Sequence, residues 1–179
     1  ERVLLLRPVA EVRLFRAQEY LHQILLRLGV LRLVVRVDHL AEDRLDAFAH
    51  VAHRPPTGGD LHFAIIDGLG HGLGSTLLTG LAVGAYRHAR RNGAPVADMH
   101  AAIDEVLAEY YDDISFATGI VARLATGSGR LEWSCAGHPR PLLLRGRKVV
   151  AELSCDPILP FGLGDMTPKP VIEELEPDD

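Results

Sequence analysis

A strand-like apolar run, Leu61-His62-Phe63-Ala64-Ile65-Ile66, ends on Asp67 and passes at once into Gly68-Leu69-Gly70-His71-Gly72. From Leu73 the spacing is helical. A carboxylate at the end of a buried strand is costly unless something compensates it. The alternating glycines leave the backbone bare and free to take positive φ. Such a turn can bring an aspartate and a peptide carbonyl to the same metal ion. Hard divalent cations such as magnesium and manganese take oxygen ligands of that kind. The plainer alternative is a glycine-rich strand-to-helix turn whose aspartate caps the helix. Other glycine loops are excluded by position. A dinucleotide loop would place its third glycine at Leu73 or Ser75, a phosphate loop needs a lysine that is absent, and a nucleophile elbow would need glycine at Leu73 and Leu77.

The chain has 179 residues, 47% of them hydrophobic and 24% charged. That is an ordinary globular mix, long enough for one domain with a core and too short for two comfortable ones. Its formal charge of −5 argues against nucleic acid as a partner, since phosphate-binding domains show a basic face. The early arginines (Arg13, Arg16, Arg27, Arg32, Arg36) read as a solvated helix face. Cys135 and Cys155 lie in apolar, strand-like surroundings and read as buried free thiols. No paired Cys/His spacing suggests structural zinc. No apolar run approaches the ~18 residues of a membrane span, and Val3-Leu4-Leu5-Leu6 is too short for a signal-peptide core. No membrane association and a cytoplasmic location are the default expectation.

Along the chain, residues 10–28 predict a helix, with Leu14, Ala17, Leu21, Ile24 and Leu28 on one face and Gly29 as a stop. Leu31 to Val37 alternates as a half-buried strand, Asp43 to Val51 predicts a second, and Arg54 to Asp60 a turn. A strand ending at Asp67 follows. Leu73 to Arg91 predicts a helix with Leu73, Leu77, Leu81 and Ala85 as its apolar face, closed by Asn92-Gly93. Pro95 opens another, with Met99, Ile103, Val106 and Tyr110 on one side. Residues 116–124, 130–136, 141–145 and 148–154 predict strands, joined by hairpin turns at Gly127-Ser128-Gly129 and Gly146-Arg147. The proline-rich, acidic tail, 156–179, predicts irregular structure. Strands that meander after a helix pair predict an α+β fold with antiparallel sheets, not a doubly wound one.

Four segments in order carry a family resemblance: Ile66-Asp67-Gly68-Leu69-Gly70-His71-Gly72 with its Ala/Leu-rich helix; Phe116-Ala117-Thr118; Cys135-Ala136-Gly137-His138-Pro139-Arg140-Pro141 with Leu142-Leu143-Leu144-Arg145; and Pro160-Phe161-Gly162-Leu163-Gly164. From about residue 40 onward the chain resembles the metal-dependent protein phosphatases (PPM type), in their bacterial SpoIIE-like, stress-response branch. The resemblance implies an antiparallel β-sandwich flanked by helices, in four αββα layers. It implies two Mn2+ or Mg2+ ions between the sheets, and hydrolysis of phosphoserine or phosphothreonine by water that the metals activate. It also implies a phosphorylated protein substrate, such as an anti-sigma factor antagonist. Residues 39–179 would be the phosphatase domain. Residues 1–38 would be an N-terminal helix and strand connecting to an upstream sensor.

Carried over residue by residue, Asp67 matches the bridging metal aspartate, and Gly68 offers its carbonyl to the metal. The upstream Gly-Asp-x-x-Asp motif matches Glu42-Asp43-Arg44-Leu45-Asp46. Asp43 takes the metal-facing place, Asp46 a supporting one, and Glu42 stands where the family has glycine. Gly70, Gly72 and His71 support the turn. His138, in a tight Gly-His-Pro turn, braces the fold, and Arg140 reads as a surface arginine. Two further family aspartates, in a Thr/Ser-Asp-Gly and an Asp-Asp-x-Thr turn, have no match before Glu176-Pro177-Asp178-Asp179. The C-terminal part of the fold is therefore expected to be missing, which would leave residues 1–179 inactive and weak in metal binding. Ligands from within would be sought first at Asp104, Asp112 and Asp113. Open sandwich edges would favour self-association, with a homodimer as the simplest outcome. Two other functions stay open: a non-catalytic pseudophosphatase that binds a partner through the same cleft, and an unrelated α+β ligand-binding domain.

Overall fold

The computed structural model describes residues 33–34, 46–53, 59–110, 115–145, 148–164 and 168–176. Its elements run β1 (Leu33–Val34), β2 (Asp46–His53), β3 (Leu61–His71), α1 (Leu73–Arg91), α2 (Val96–Tyr110), β4 (Ala117–Ala125), β5 (Arg130–Ala136), β6 (Leu142–Arg145), β7 (Lys148–Glu152) and β8 (Val171–Glu174).

Alternation along β3 sets the architecture, because successive side chains of a strand point to opposite faces. Leu61, Phe63 and Ile65 join Ile120, Ala122, Leu124, Leu131, Trp133 and Cys135 in one core cluster, closed from the other side by Leu143 and Leu153. Ala64 and Ile66 join Val121 and Ala136 in a second, beneath Leu78, Ala82 and Tyr86 of α1 and Met99, Ile103 and Leu107 of α2. The strands form a five-stranded sheet, β2-β3-β4-β5-β8, and a three-stranded one, β1-β6-β7. All the ladders are antiparallel. One helix layer and two facing sheets of an αββα sandwich are thus described.

Three expectations need correction. The strand does not stop at Asp67. Its pairing with β2 continues to His71, opposite Asp46 across an irregularity between Asp46 and Phe48, and the Leu69 N–H still donates to the Phe116 carbonyl at 2.9 Å. Glycines without side chains do not obstruct this extension.

Second, α1 turns the expected leucine row outward. Leu73, Leu77 and Leu81 are 75%, 55% and 36% exposed, and the buried side is Ser75, Leu78, Thr79, Ala82, Tyr86 and Ala89. The reason is close approach: a Cβ on Gly68 would stand 2.7 Å from Thr79 Oγ1 and 3.1 Å from the Ser75 carbonyl. A row of leucines could not lie so low over the strand. On α2, Met99 and Ile103 are buried as expected, but Leu107 rather than Val106 continues the row.

Third, the tail is not wholly irregular. Val171–Glu174 adds as an edge strand to β5, with Leu131 opposite Glu173, and Leu175 tucks into the inter-sheet core. The short Val-Ile-Glu-Glu run between prolines carries too little pattern to be read alone. The helix expected over 10–28, the rest of the 31–37 strand, Arg54 to Gly58 and Gly146-Arg147 lie outside the described residues.

Candidate active site

Asp67 continues the row of Leu61, Phe63 and Ile65, so it stands on the face turned to the second sheet, where the apolar row ends. Opposite it on β4 is Thr118, and directly paired residues share a face. The Thr118 hydroxyl is hydrogen-bonded to Nδ1 of His138 at 2.9 Å. His138 is 7% exposed, and its carbonyl accepts the Cys135 thiol at 3.1 Å. Gly137 turns the chain at φ 59° and bridges to Gly119 of β4. That crossing is crowded. A Cβ on Gly119 would meet the Ile65 carbonyl at 2.5 Å, and one on Gly137 would meet Pro160 Cγ at 2.8 Å. The Cys-Ala-Gly-His-Pro segment is thereby pressed against β4 next to the strand that carries Asp67.

Gly68 turns to the helix side. Its carbonyl accepts a hydrogen bond from the Ser75 hydroxyl at 3.2 Å, which ties the first turn of α1 to the strand. A carbonyl oxygen has a second lone pair for another partner. Gly70 and Gly72 sit at φ 85° and 80°, where L side chains are strained. Gly72 is the N-cap of α1, with no side-chain cap. Asp67 belongs to the strand and is not the cap of the helix. His71 is exposed, and the backbone of Asp46 lies opposite it. The Asp46 side chain, Asp43, Asp112 and Asp113 lie outside the described residues. Arg140 is at the surface, its guanidinium 3.8 Å from Glu152.

A second polar group lies on the helix side. Ser134 and His100, 1% and 3% exposed, are joined at 2.7 Å between Oγ and Nδ1. The His100 ring meets Phe161 edge-on at 4.6 Å. One turn along α2, Asp104 Oδ1 accepts the Gly162 N–H at 2.7 Å. Burial pushes the His100 imidazole down to about 4, against a weaker upward pull from Asp104, so the ring is neutral at pH 7. Serine, histidine and aspartate together suggest a nucleophile, but Ser134 has no access to a substrate. The group fastens α2 to β5 and to the Pro160-Phe161-Gly162 turn. Asp104 is engaged in that fastening. The sequence reading missed Ser75 and the pairing of Ser134 with His100. It named Asp104 as a place to seek a metal ligand, and gave Thr118 within the Phe-Ala-Thr motif, without a role.

Burial, and then the neighbouring Cys155, push the Cys135 thiol up to about 12, and both cysteines are free. Among the described residues no three or more His, Cys, Asp or Glu side chains converge as a metal cluster, and no helix is long and apolar enough to cross a membrane. The oxygen donors at the site are the Asp67 carboxylate and the Gly68 carbonyl, a type that suits a hard divalent cation.

The fold has counterparts of known structure. The RsbU and RsbW domains of Rv1364c from Mycobacterium tuberculosis match at TM-score 0.59 and 24% identity, over 80% of this chain and 38% of that one. The PP2C phosphatase domain and regulatory fragment of SpoIIE from Bacillus subtilis match at 0.59 and 14%, over 89% and 55%. The SiaA-PP2C domain of Pseudomonas aeruginosa matches at 0.61 and 16%, over 94% and 70%. The chain thus spans about two fifths to just over half of the first two. No curated protein matches it. At these identities the likeness shows a shared PP2C fold. The sequence profile of Stage II sporulation protein E (SpoIIE) matches residues 57–179, from the approach to β3 through β8, and the chain therefore belongs to the SpoIIE family.

Proposed function

We propose that this domain is a metal-dependent protein serine/threonine phosphatase, built on residues 39–179 and joined through 1–38 to an upstream sensor. The observation that carries the reading is the position of Asp67. It is a carboxylate at the end of an apolar inter-sheet row, followed by a bare glycine turn and flanked by Thr118 with its bond to His138. Asp67 and the Gly68 carbonyl would hold Mn2+ or Mg2+, two ions in the complete site, with Asp43 as a further ligand and Asp46 in support. When bound, such ions supply Lewis acidity, which acidifies water and offsets charge on phosphoryl oxygens.

The chain's own residues do the positioning. Strand pairing on both sides holds Asp67, and Gly70 and Gly72, at positive φ, lead the chain from β3 into α1. Ser75 anchors Gly68. His138 holds the hydroxyl of Thr118, the β4 residue paired with Asp67, and its role would be to brace the site. No protein nucleophile is required. The substrate we favour is a phosphorylated regulatory protein of the anti-sigma factor antagonist kind. In its support, one matched protein carries RsbU and RsbW domains together.

The test is Asp67→Asn in the intact protein, assayed for turnover of a phosphoserine peptide at saturating manganese. The expected loss is at least about a hundredfold, because one carboxylate serves binding and phosphoryl stabilisation together. Activity within a few-fold of wild type would overturn the metal assignment. Metal-independent peptide binding without turnover in the wild type would point to a partner-binding module instead.

A further inference from the structure

The other end of β3 carries a different constellation. His62 lies near the start of the strand, with His53 of β2 on one side of it and Arg123 of β4 on the other, and Glu132 of β5 beyond. These four alternate with Phe63, Ala122 and Leu131 of the inter-sheet core. They therefore form a row on the helix-covered face. The last turn of α1 brings Arg90 and Arg91 to it. Burial, then the charges of Arg123 and Arg90, hold the His62 imidazole below its ordinary value, against an upward pull from Asp60. At His53, after burial, Arg90 and Arg91 act in the same direction. The side chains therefore sit within one another's fields.

The carboxylates here are already engaged with Arg123, Glu132 at 2.6 Å and Asp60 at 3.9 Å. The last carbonyls of α1 are taken by the N–H groups of Asn92, Gly93 and Ala94. What is left over includes an arginine donor. Nε of Arg90 is buried and has no hydrogen-bond partner among the described residues, and neither has Nδ1 of His62, a donor or an acceptor according to its tautomer. A buried donor without an acceptor is costly, most of all on a guanidinium, which does not lose its charge. The planar donors of arginine match the oxygens of a tetrahedral anion.

We propose that this end of the sheet binds a phosphate-type oxyanion between Arg90 and His62, with Arg91 and His53 at its mouth. The site is separate from the proposed metal site. It lies on the opposite face of the sheet, and Asp67 is five residue steps along the strand from His62, about 17 Å. The anion could be free inorganic phosphate or a phosphate carried on a protein.

The test is an NMR titration of the full chain with sodium phosphate, against sodium chloride at matched ionic strength, following the His53 and His62 imidazoles and the Arg90 Nε–H. Saturable shifts confined to these groups are expected with phosphate and not with chloride. Arg90→Gln should weaken binding at least about tenfold, as loss of a charge-assisted contact does. Arg91→Gln should weaken it a few-fold, and Asp67→Asn should leave it unchanged. Because Arg90 is part-buried, the exposed Arg91→Gln and His53→Gln carry the test if Arg90→Gln loses its folded spectrum. Shifts that never saturate and match those with chloride would overturn the proposal. So would binding that persists undiminished in all three variants. A phosphoserine peptide decides the source: tighter binding than inorganic phosphate on the same signals assigns the site to a phosphoprotein, and equal or weaker binding assigns it to free phosphate.

Discussion

The two faces of the five-stranded sheet come from the same strands, alternate residue by alternate residue, yet they hold different kinds of polar group. Along β3 and β4 the inter-sheet face is apolar from Leu61 through Ile65 and from Leu124 back to Ile120, and turns polar at Asp67 and Thr118. The helix face has Ala64, Ile66, Val121 and Ala136 under two helices. There the polar side chains of Ser134 and His100 are paired, and the Ser75 hydroxyl is satisfied by the Gly68 carbonyl. Buried polar groups persist where a partner satisfies them. Ser134 and His100 fasten α2 to the sheet, whereas Asp67 and Thr118 stand where the apolar inter-sheet row ends. Residue type does not tell the two apart: Ser134-His100 has the composition of a catalytic pair and the burial of a core contact.

Four measurements can break or sharpen this contrast. The largest effect belongs to the rim. Asp67→Asn should lower activity about a hundredfold or more while leaving the melting temperature nearly unchanged. A large loss of stability in that variant would make Asp67 a fastener after all.

Next is the side of α1 that lies on the sheet. Leu78→Ala, at a site 2% exposed, should cost about 2–5 kcal/mol in denaturant unfolding. Its neighbour Leu77→Ala, 55% exposed, should stay within about 0.5 kcal/mol. Similar costs for both would show that the outward leucines are covered in the protein.

The His100 fastener should give a pH signature. Burial holds its folded value at about 4, below the ordinary 6.5, so the unfolded chain takes up a proton before the folded one does. The stability it confers is complete above pH 6.5 and is lost as the pH falls towards 4, by on the order of 3 kcal/mol at most. Melting curves from pH 7 to 4.5 should therefore fall more steeply for wild type than for His100→Gln. Parallel curves would count against the group.

The smallest effect is chemical. Iodoacetamide at pH 7.5 should modify half-buried Cys155 at least about tenfold faster than Cys135, whose thiol is held up near 12 by burial. Equal rates would mean that the inter-sheet core opens readily.

Much of this fold was legible in short segments. The alternation of Leu61 to Ile66, the glycines after Asp67 and the uninterrupted helix to Arg91 each express rules between residues a few places apart. The helix bounds and the strands from β4 to β7 followed from them. The motif around Asp67 was likewise readable, since its residues are contiguous. Thr118 and His138, by contrast, are 20 residues apart, and no local pattern joins them.

The sequence by itself determined the elements from β3 to β7, the antiparallel class, the family, and the run of glycines between Asp67 and α1, because backbone geometry imposes its period on neighbouring residues. Tertiary structure decided the rest. α1 has two apolar rows, and helical period serves either. The closeness of Gly68 to Ser75 and Thr79 selects the row that has small residues beside the glycine, and leaves Leu73, Leu77 and Leu81 outside. β8 is a strand because β5 offers it an edge, and the strand continues past Asp67 because β2 and β4 still pair with it. Choice of face, register and partner depends on contacts between residues far apart in the chain, whose energies no single segment contains.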